Sequence, residues 1–399
     1  MTAAQHPDAA KVHQRPAAKG WCPGAYQPMA SGDGLIVRVR PRLARLTAVQ
    51  ALGLCDAARQ FGSGLIDLTN RANLQLRGVK TADHQELVDA LGQLGLLDAD
   101  PQQEHRRNIL VAPCWQPGDD TERMASELAA RLAELPALPS KFGFAVDAGP
   151  TPVLTEASAD IRIERGCAGG LIVRADGASN GIAVTPATAV DTAIAMAAWF
   201  AATAGTPRGR RMARHLADHA LPATLAPHAA PAQAGALPRP GMSPLGPVYG
   251  VAFGQIDALV LERLLRDCGA SALRLSPNRM LILEGGQWRA SAEFLTSSDD
   301  PLLRIDACPG APACASATVQ TRALARAIAP VFQRAAAAGS QPSLHVSGCA
   351  KGCARARAAD ITLVGRGGSF DLVCHGAAWD APARTELSPD ALPSLIGTF

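Results

Sequence analysis

Hydrophobic and polar positions along the chain repeat one short pattern twice. Leu35-Ile-Val-Arg-Val-Arg40 alternates apolar and polar residues and reads as a strand. Thr47 is placed to cap a helix over Ala48–Phe61, whose apolar residues recur at helical spacing and which Gly62-Ser-Gly64 ends. Leu65–Thr69 and Asn73–Arg77 then read as strands. About two hundred residues later the order returns: strand Val248–Phe253, helix Ile256–Cys268, strands Ala272–Leu275 and Met280–Leu283. A repeated unit of this kind predicts two half-domains that bury each other's faces about a pseudo-two-fold axis.

Between and after these halves the pattern turns to longer elements. Residues 83–97 form an amphipathic helix, Ile109–Ala112 a short strand, and Thr121–Leu135 a helix closed by Pro136 and Pro139. Lys141–Val146 and Gly170–Arg174 read as strands and Ala187–Ala204 as a helix. Residues 217–246 are rich in Ala, Pro and His without periodicity and read as a linker. The Ala-rich run Ala315–Gly339 reads as a helix with Cys314 at its N-terminus. The expected organisation is an α+β chain: a flexible tail (1–19), a first half-domain (20–82), an α/β domain (83–216), the linker (217–246), a second half-domain (247–297) and a cysteine-bearing domain (298–399).

Composition narrows the class. An apolar fraction of 48% with 18% charged residues is that of a globular protein, and a net charge of +3 gives no reason to expect a nucleic-acid partner. No apolar leader opens the chain and no 18-residue apolar run occurs, so neither a membrane nor export is expected. Ten cysteines in such a chain point to a reducing cytoplasm and to metal ligation rather than disulfides.

Four of those cysteines form two glycine-framed pairs, Cys308-Pro-Gly-Ala-Pro-Ala-Cys314 and Cys349-Ala-Lys-Gly-Cys353. If Gly352 and Cys353 open a helix, Cys349 and Cys353 share one side of a turn. Four thiolates with close glycine backbone suit a [4Fe–4S] cluster; the alternatives are structural zinc or ordinary buried thiols. Cys55, Cys167, Cys268 and Cys374 have no partners at ligand spacing and read as core residues, and Cys22 in Trp-Cys-Pro-Gly reads as a free, partly buried thiol, with a place near a second iron as the alternative. His345, four residues before Cys349, is a candidate to pack over the cluster.

The two cysteine pairs, with Ser347-Gly-Cys349-Ala-Lys-Gly-Cys353 and the following Asp360-Ile-Thr-Leu363, resemble the signature of the sulfite/nitrite reductase superfamily. Within it, 307–317 and 348–354 are most similar to the precorrin-3B synthase family; typical reductases carry Pro-Asn where this chain has Ala350-Lys351. The resemblance implies ferredoxin-like half-domains alternating with two reductase-type α/β domains, the second carrying the cluster, with Cys353 in the position of the cysteine that bridges to sirohaem. It also nominates catalytic cations: Arg71 in Thr-Asn-Arg-Ala-Asn-Leu-Gln (69–75), Arg107 in Arg-Arg-Asn-Ile-Leu (106–110), and Lys141 in Leu138-Pro-Ser-Lys-Phe-Gly143. Reductases have a second lysine where this chain has Gly143. Arg71, Gln75, Arg77, Arg107, Lys141 and Arg40 are candidates to grip a carboxylate-rimmed macrocycle, since Arg forks bind carboxylates through two bonds.

By that resemblance the expected activity is an oxygen-dependent monooxygenase of cobalamin biosynthesis. It converts precorrin-3A to precorrin-3B by C-20 hydroxylation and γ-lactone formation, using the [4Fe–4S] cluster and a mononuclear non-haem iron. Dioxygen is the co-substrate, and electrons come from NADH through a separate reductase, because no GxGxxG follows a strand. No spacing in the chain marks ligands for the mononuclear iron. The alternative is a sirohaem-dependent sulfite or nitrite reductase; a non-catalytic iron–sulfur carrier or tetrapyrrole-binding protein is the third.

Overall fold

The computed structural model describes residues 23–204, 211–335 and 341–397. The expectations for the tail (1–19) and for Cys22 lie outside the described residues. Beyond Ser298 the chain passes from one compact unit into a second.

In the first unit the repeat builds two five-stranded sheets. One runs Met29–Ser31, Gly34–Val39, Leu74–Val79, Leu65–Leu68 and then Gln255–Asp257. The other runs Gly241–Ser243, Gly246–Gly250, Met280–Glu284, Ala272–Ser276 and then Arg45–Thr47. Each half therefore donates a three-residue edge strand to the other half's sheet, Arg45 pairing with Arg274 and Gln255 with Asp67. Both donated strands leave a tight turn containing a left-handed apolar residue, Leu43 (φ 55°) and Phe253 (φ 57°). The helices that follow, Ala48–Phe61 and Ala258–Cys268, begin at capping residues Thr47 and Asp257. The helix expected from Ile256 thus starts two residues later, because Gln255–Asp257 is spent on the exchanged strand.

The two halves also share a buried ion pair with its charges reversed. In the first, Arg77 donates to Asp67 at 3.1 Å; in the second, Arg274 donates to Glu284 at 3.0 Å. Each exchanged strand reaches the pair of the opposite half, Arg45 to Glu284 (2.8 Å) and Gln255 to Asp67 (3.0 Å). Arg274 is 1% exposed, lies 4.0 Å from the centre of the Trp115 ring and donates to the carbonyls of Pro113 and Trp115. Removing its carboxylate strands a buried charge, so Glu284→Ala is expected to cost about 3 kcal/mol. A lowered urea midpoint with an unchanged slope is the readout.

The remaining sheet of this unit orders Ile109–Val111, Phe144–Asp147 and Ile161–Arg165 as parallel strands, followed by antiparallel Leu171–Ala175 and Ile182–Val184. Helices Asp120–Ala130 and Ala189–Thr203 pack on it around Met124, Leu128, Phe144, Ile163, Met196 and Phe200. The strand expected at Lys141 starts at Phe144; residues 139–142 make a turn in which the Phe142 N–H donates to the Pro139 carbonyl. The stretch expected as a linker instead lies in part along this sheet, and its end, Gly241–Ser243, is the edge strand of the second half's sheet. Its His228 and Ala229 N–H groups donate to Gly181, and its Ala232 to Arg165.

The second unit has the same strand order: parallel Ile305–Ala307, Leu344–Ser347 and Ala359–Arg366, then antiparallel Ser369–Gly376 and Arg384–Leu387. Its long helix spans Arg322–Ala335, not 315 onward, and the expected end at Gly339 lies outside the described residues. Among the described residues no helix is long and apolar enough to cross a membrane.

Candidate functional site

Arg71 is presented by the turn between Leu65–Leu68 and Leu74–Val79. The Thr69 hydroxyl accepts the N–H groups of Arg71 (3.3 Å) and Asn73 (3.1 Å), and Ala72 takes a left-handed conformation (φ 51°). The guanidinium then crosses to the α/β sheet. It donates to Asn108 Oδ1 at 2.6 Å and to the Lys141 carbonyl and Ser158 Oγ at 3.3 Å each. Arg211, which the sequence reading missed, donates to the same Ser158 Oγ at 3.3 Å, and its Nε–H is shared between both oxygens of buried Asp160. Asp160 also accepts the Gly143 N–H at 2.9 Å. Arg71 and Arg211 thus meet at Ser158 beside Gly143, and the half-buried Lys141 lies two residues before that glycine.

Gly143 explains its own identity. A Cβ there would stand 2.5 Å from Arg71 Nη1, 2.7 Å from Asn108 Nδ2 and 3.0 Å from the Asn108 carbonyl oxygen. Arg71 fills the place a side chain at 143 would enter.

The other nominated cations are spent inside the protein. Arg77, 3% exposed, pairs with Asp33 and Asp67; Arg107, 7% exposed, pairs with Asp98 and Glu104 at 2.6 Å each. Arg40 donates to Glu104 at 3.1 Å from an equally buried position. These three are structural cross-links, not free rim-binding groups, because each guanidinium already faces a buried carboxylate. Gln75 accepts from Arg38 at 2.7 Å and remains half-buried. Beside the Arg40–Glu104 pair lies a cavity of about 470 Å³, lined by Tyr26, His105, Arg106, Leu138 and Phe142 among others. Arg71 and Lys141 do not line it.

In the second unit, Cys308 and Cys349 follow the carboxyl ends of two adjacent parallel strands, Ile305–Ala307 and Leu344–Ser347, where α/β sheets present ligand-binding loops. Neither helical expectation survives. Cys314 lies in a turn, its N–H donating to the Gly310 carbonyl, and Gly352 (φ 60°) makes a turn before Cys353. Cys308 Sγ accepts the Gly348 N–H at 3.1 Å. A Cβ on Gly348 would stand 2.6 Å from Ala317 Cβ and 3.4 Å from that sulfur, so only glycine lets the two loops close. Burial pushes the Cys308 thiol up while the Gly348 and Gly310 N–H groups pull it back. Burial of the sulfur also raises Cys353, although the residue has exposed surface, and the neighbouring Cys308, Cys349 and Cys314 add to it. The four sulfurs therefore feel one another.

Among the described residues no three His, Cys, Asp or Glu side chains converge on a point to hold a single metal ion. A cubane asks for something else: four thiolates, each on its own iron, spread around the cluster, with N–H groups approaching the sulfur. The donor set and the glycine cradle fit that requirement.

Other thiols divide. Cys55 and Cys268 are buried, as expected, whereas Cys167 and Cys374 are exposed rather than core residues, as is Cys114. His345 is fully buried on the middle parallel strand, in register between Asp306 and Thr362. Neither ring nitrogen has a hydrogen-bond partner among the described residues, and burial pushes the imidazole down to about 4.

Comparison with known proteins decides the family. A Sinorhizobium sp. protein, "Precorrin-3B synthase", is 32% identical over 92% of this chain and 84% of its own length. The chain belongs to the precorrin-3B synthase family. Residues 27–94 match the nitrite/sulfite reductase ferredoxin-like half domain. The Mycobacterium tuberculosis NirA protein shares the fold at 17% identity, with a TM-score of 0.59 over 91% of this chain and 79% of that one. The fold here is thus of the nitrite/sulfite reductase type.

Proposed function

We propose that the chain is an oxygen-dependent monooxygenase of cobalamin biosynthesis that converts precorrin-3A to precorrin-3B, hydroxylating C-20 and closing a γ-lactone. One oxygen atom of O₂ enters the product and the other leaves as water, the two electrons coming from NADH through a separate reductase. Family membership supports the reading. The observation that separates it from a sulfite or nitrite reductase is the Arg71 guanidinium lying over Gly143. A site reducing a small oxyanion benefits from every fixed cation, and this chain has no room for the second lysine.

In this reading the first unit binds and orients the macrocycle. Arg71, held by Asn108 and Ser158, presents its guanidinium to a rim carboxylate and Lys141 adds an ammonium, while Arg211, already paired with buried Asp160, braces Ser158 beside them. Their partners fix these cations before substrate arrives, so little ordering cost falls on binding. Cys308, Cys314, Cys349 and Cys353 would hold the [4Fe–4S] cluster, which when bound supplies single electrons. The described residues offer no set that fits a mononuclear iron.

Anaerobic purification followed by acidic-acetone extraction tests the reading. The expected result is iron and sulfide near about four per chain, no sirohaem, and precorrin-3A consumption that requires O₂. Sirohaem at about one per chain, with sulfite or nitrite reduction, would overturn it in favour of the reductase.

A further inference from the structure

We propose that Lys351 sets the electron affinity of the four-cysteine site, as a fixed cation tied across the two cysteine loops. The proposal rests on the cluster reading of Cys308, Cys314, Cys349 and Cys353. Lys351 Nζ donates to Ser316 Oγ at 2.8 Å, across 35 residues of sequence. Ser316 lies two residues after Cys314, and Lys351 lies midway between Cys349 and Cys353. The bond therefore joins the two loops within two residues of Cys314, Cys349 and Cys353. Few other contacts could do so, because Gly348 and Gly352 carry no side chains.

The charge is also left for the site to use. Arg355, two residues past Cys353, is neutralised by Asp306 at 3.0 Å. Lys351 makes no ion pair among the described residues. Reduction adds one negative charge to a centre already surrounded by four thiolates, and a nearby cation stabilises the added charge. The reductase sequences, with neutral Asn expected at this position, lack it.

Three variants of the full chain separate charge from tie. Lys351→Gln keeps a hydrogen-bond donor for Ser316 but removes the charge; Lys351→Arg keeps the charge; Ser316→Ala removes the tie and leaves the charge. Iron and sulfide are counted first, and each protein is then titrated anaerobically while the reduced cluster is followed by electron paramagnetic resonance. For Lys351→Gln the ratio of oxidised to reduced cluster at a fixed potential should rise about fivefold, equivalent to a midpoint about 40 mV lower on the one-electron scale. Lys351→Arg should stay within about twofold of the parent, and Ser316→Ala should shift less than Lys351→Gln. Because Lys351 is exposed, the shift should shrink as salt is raised. A full cluster with an unmoved midpoint in Lys351→Gln overturns this proposal alone. A parent protein with no cluster overturns the cysteine reading and this proposal together.

Discussion

Arg71→Ala should lower kcat/KM for precorrin-3A by about 100-fold or more while the iron–sulfur spectrum stays unchanged. That factor is about 2.7 kcal/mol, the scale of one lost charge-assisted, two-pronged contact together with its positioning effect. Arg71 is the member of the corner that reaches farthest, from a half-domain turn to Asn108, Lys141 and Ser158. Its loss removes a substrate fork and loosens that turn, so a modest fall in urea midpoint should accompany the kinetic defect. Arg71→Lys should recover only part of the activity, since an ammonium cannot hold Asn108 and Ser158 in one plane. Steady-state kinetics under O₂, with the spectrum of the same sample, decide the matter; turnover within about threefold of the parent would remove Arg71 from the site.

Gly143→Lys puts back the lysine that the reductases are expected to carry, and it should yield an inactive, weakened protein rather than a reductase. The new Cβ would meet Arg71 Nη1 at 2.5 Å and the Asn108 carbonyl oxygen at 3.0 Å. The arginine can swing away, but the backbone oxygen cannot. A loss of about 2 kcal/mol in stability and of at least about 100-fold in precorrin-3A turnover is expected, the first from overpacking and the second from the displaced guanidinium. Arg71→Ala combined with Gly143→Lys should recover part of the stability and none of the activity, because the two residues compete for one space. Gain of sulfite or nitrite reduction by Gly143→Lys would contradict this account of the glycine.

Local signals in the sequence were legible where one element carried them. Thr47 and the periodicity of Ala48–Phe61 mark a helix that forms with both arms of a capping box. The repeat at 248–283 was visible because strand, helix and strand recur in order. The exchanged strands were not, since three residues such as Gln255-Ile-Asp257 are too short to show an alternation. Arg77 looked like a substrate ligand because its partner Asp33 lies 44 residues away; for Arg107 the partners Glu104 and Asp98 are only 3 and 9 residues off, but nothing local shows that the fold buries all three together. Arg211 escaped notice for the converse reason. Its partners Ser158 and Asp160 precede it by about fifty residues, across three strands and a helix. The Ala-rich run after Cys314 invited a helix too early; Cys314 and Ala317 are held instead by backbone bonds in the loop that frames the cysteines.

The reciprocal edge strands bear on how such a chain can be made. Synthesis proceeds from the N-terminus, so Leu65–Leu68 leaves the ribosome nearly two hundred residues ahead of Gln255–Asp257, the strand that covers its open edge. During that interval the first half presents unpaired N–H and C=O groups along a strand flanked by apolar surface, an arrangement prone to pairing with other nascent chains. Neither half can finish its sheet alone, so a truncated product ending before Gln255 is a hazard to its neighbours rather than a smaller working protein. Two separately expressed halves, by contrast, carry complementary vacancies and would have reason to find each other.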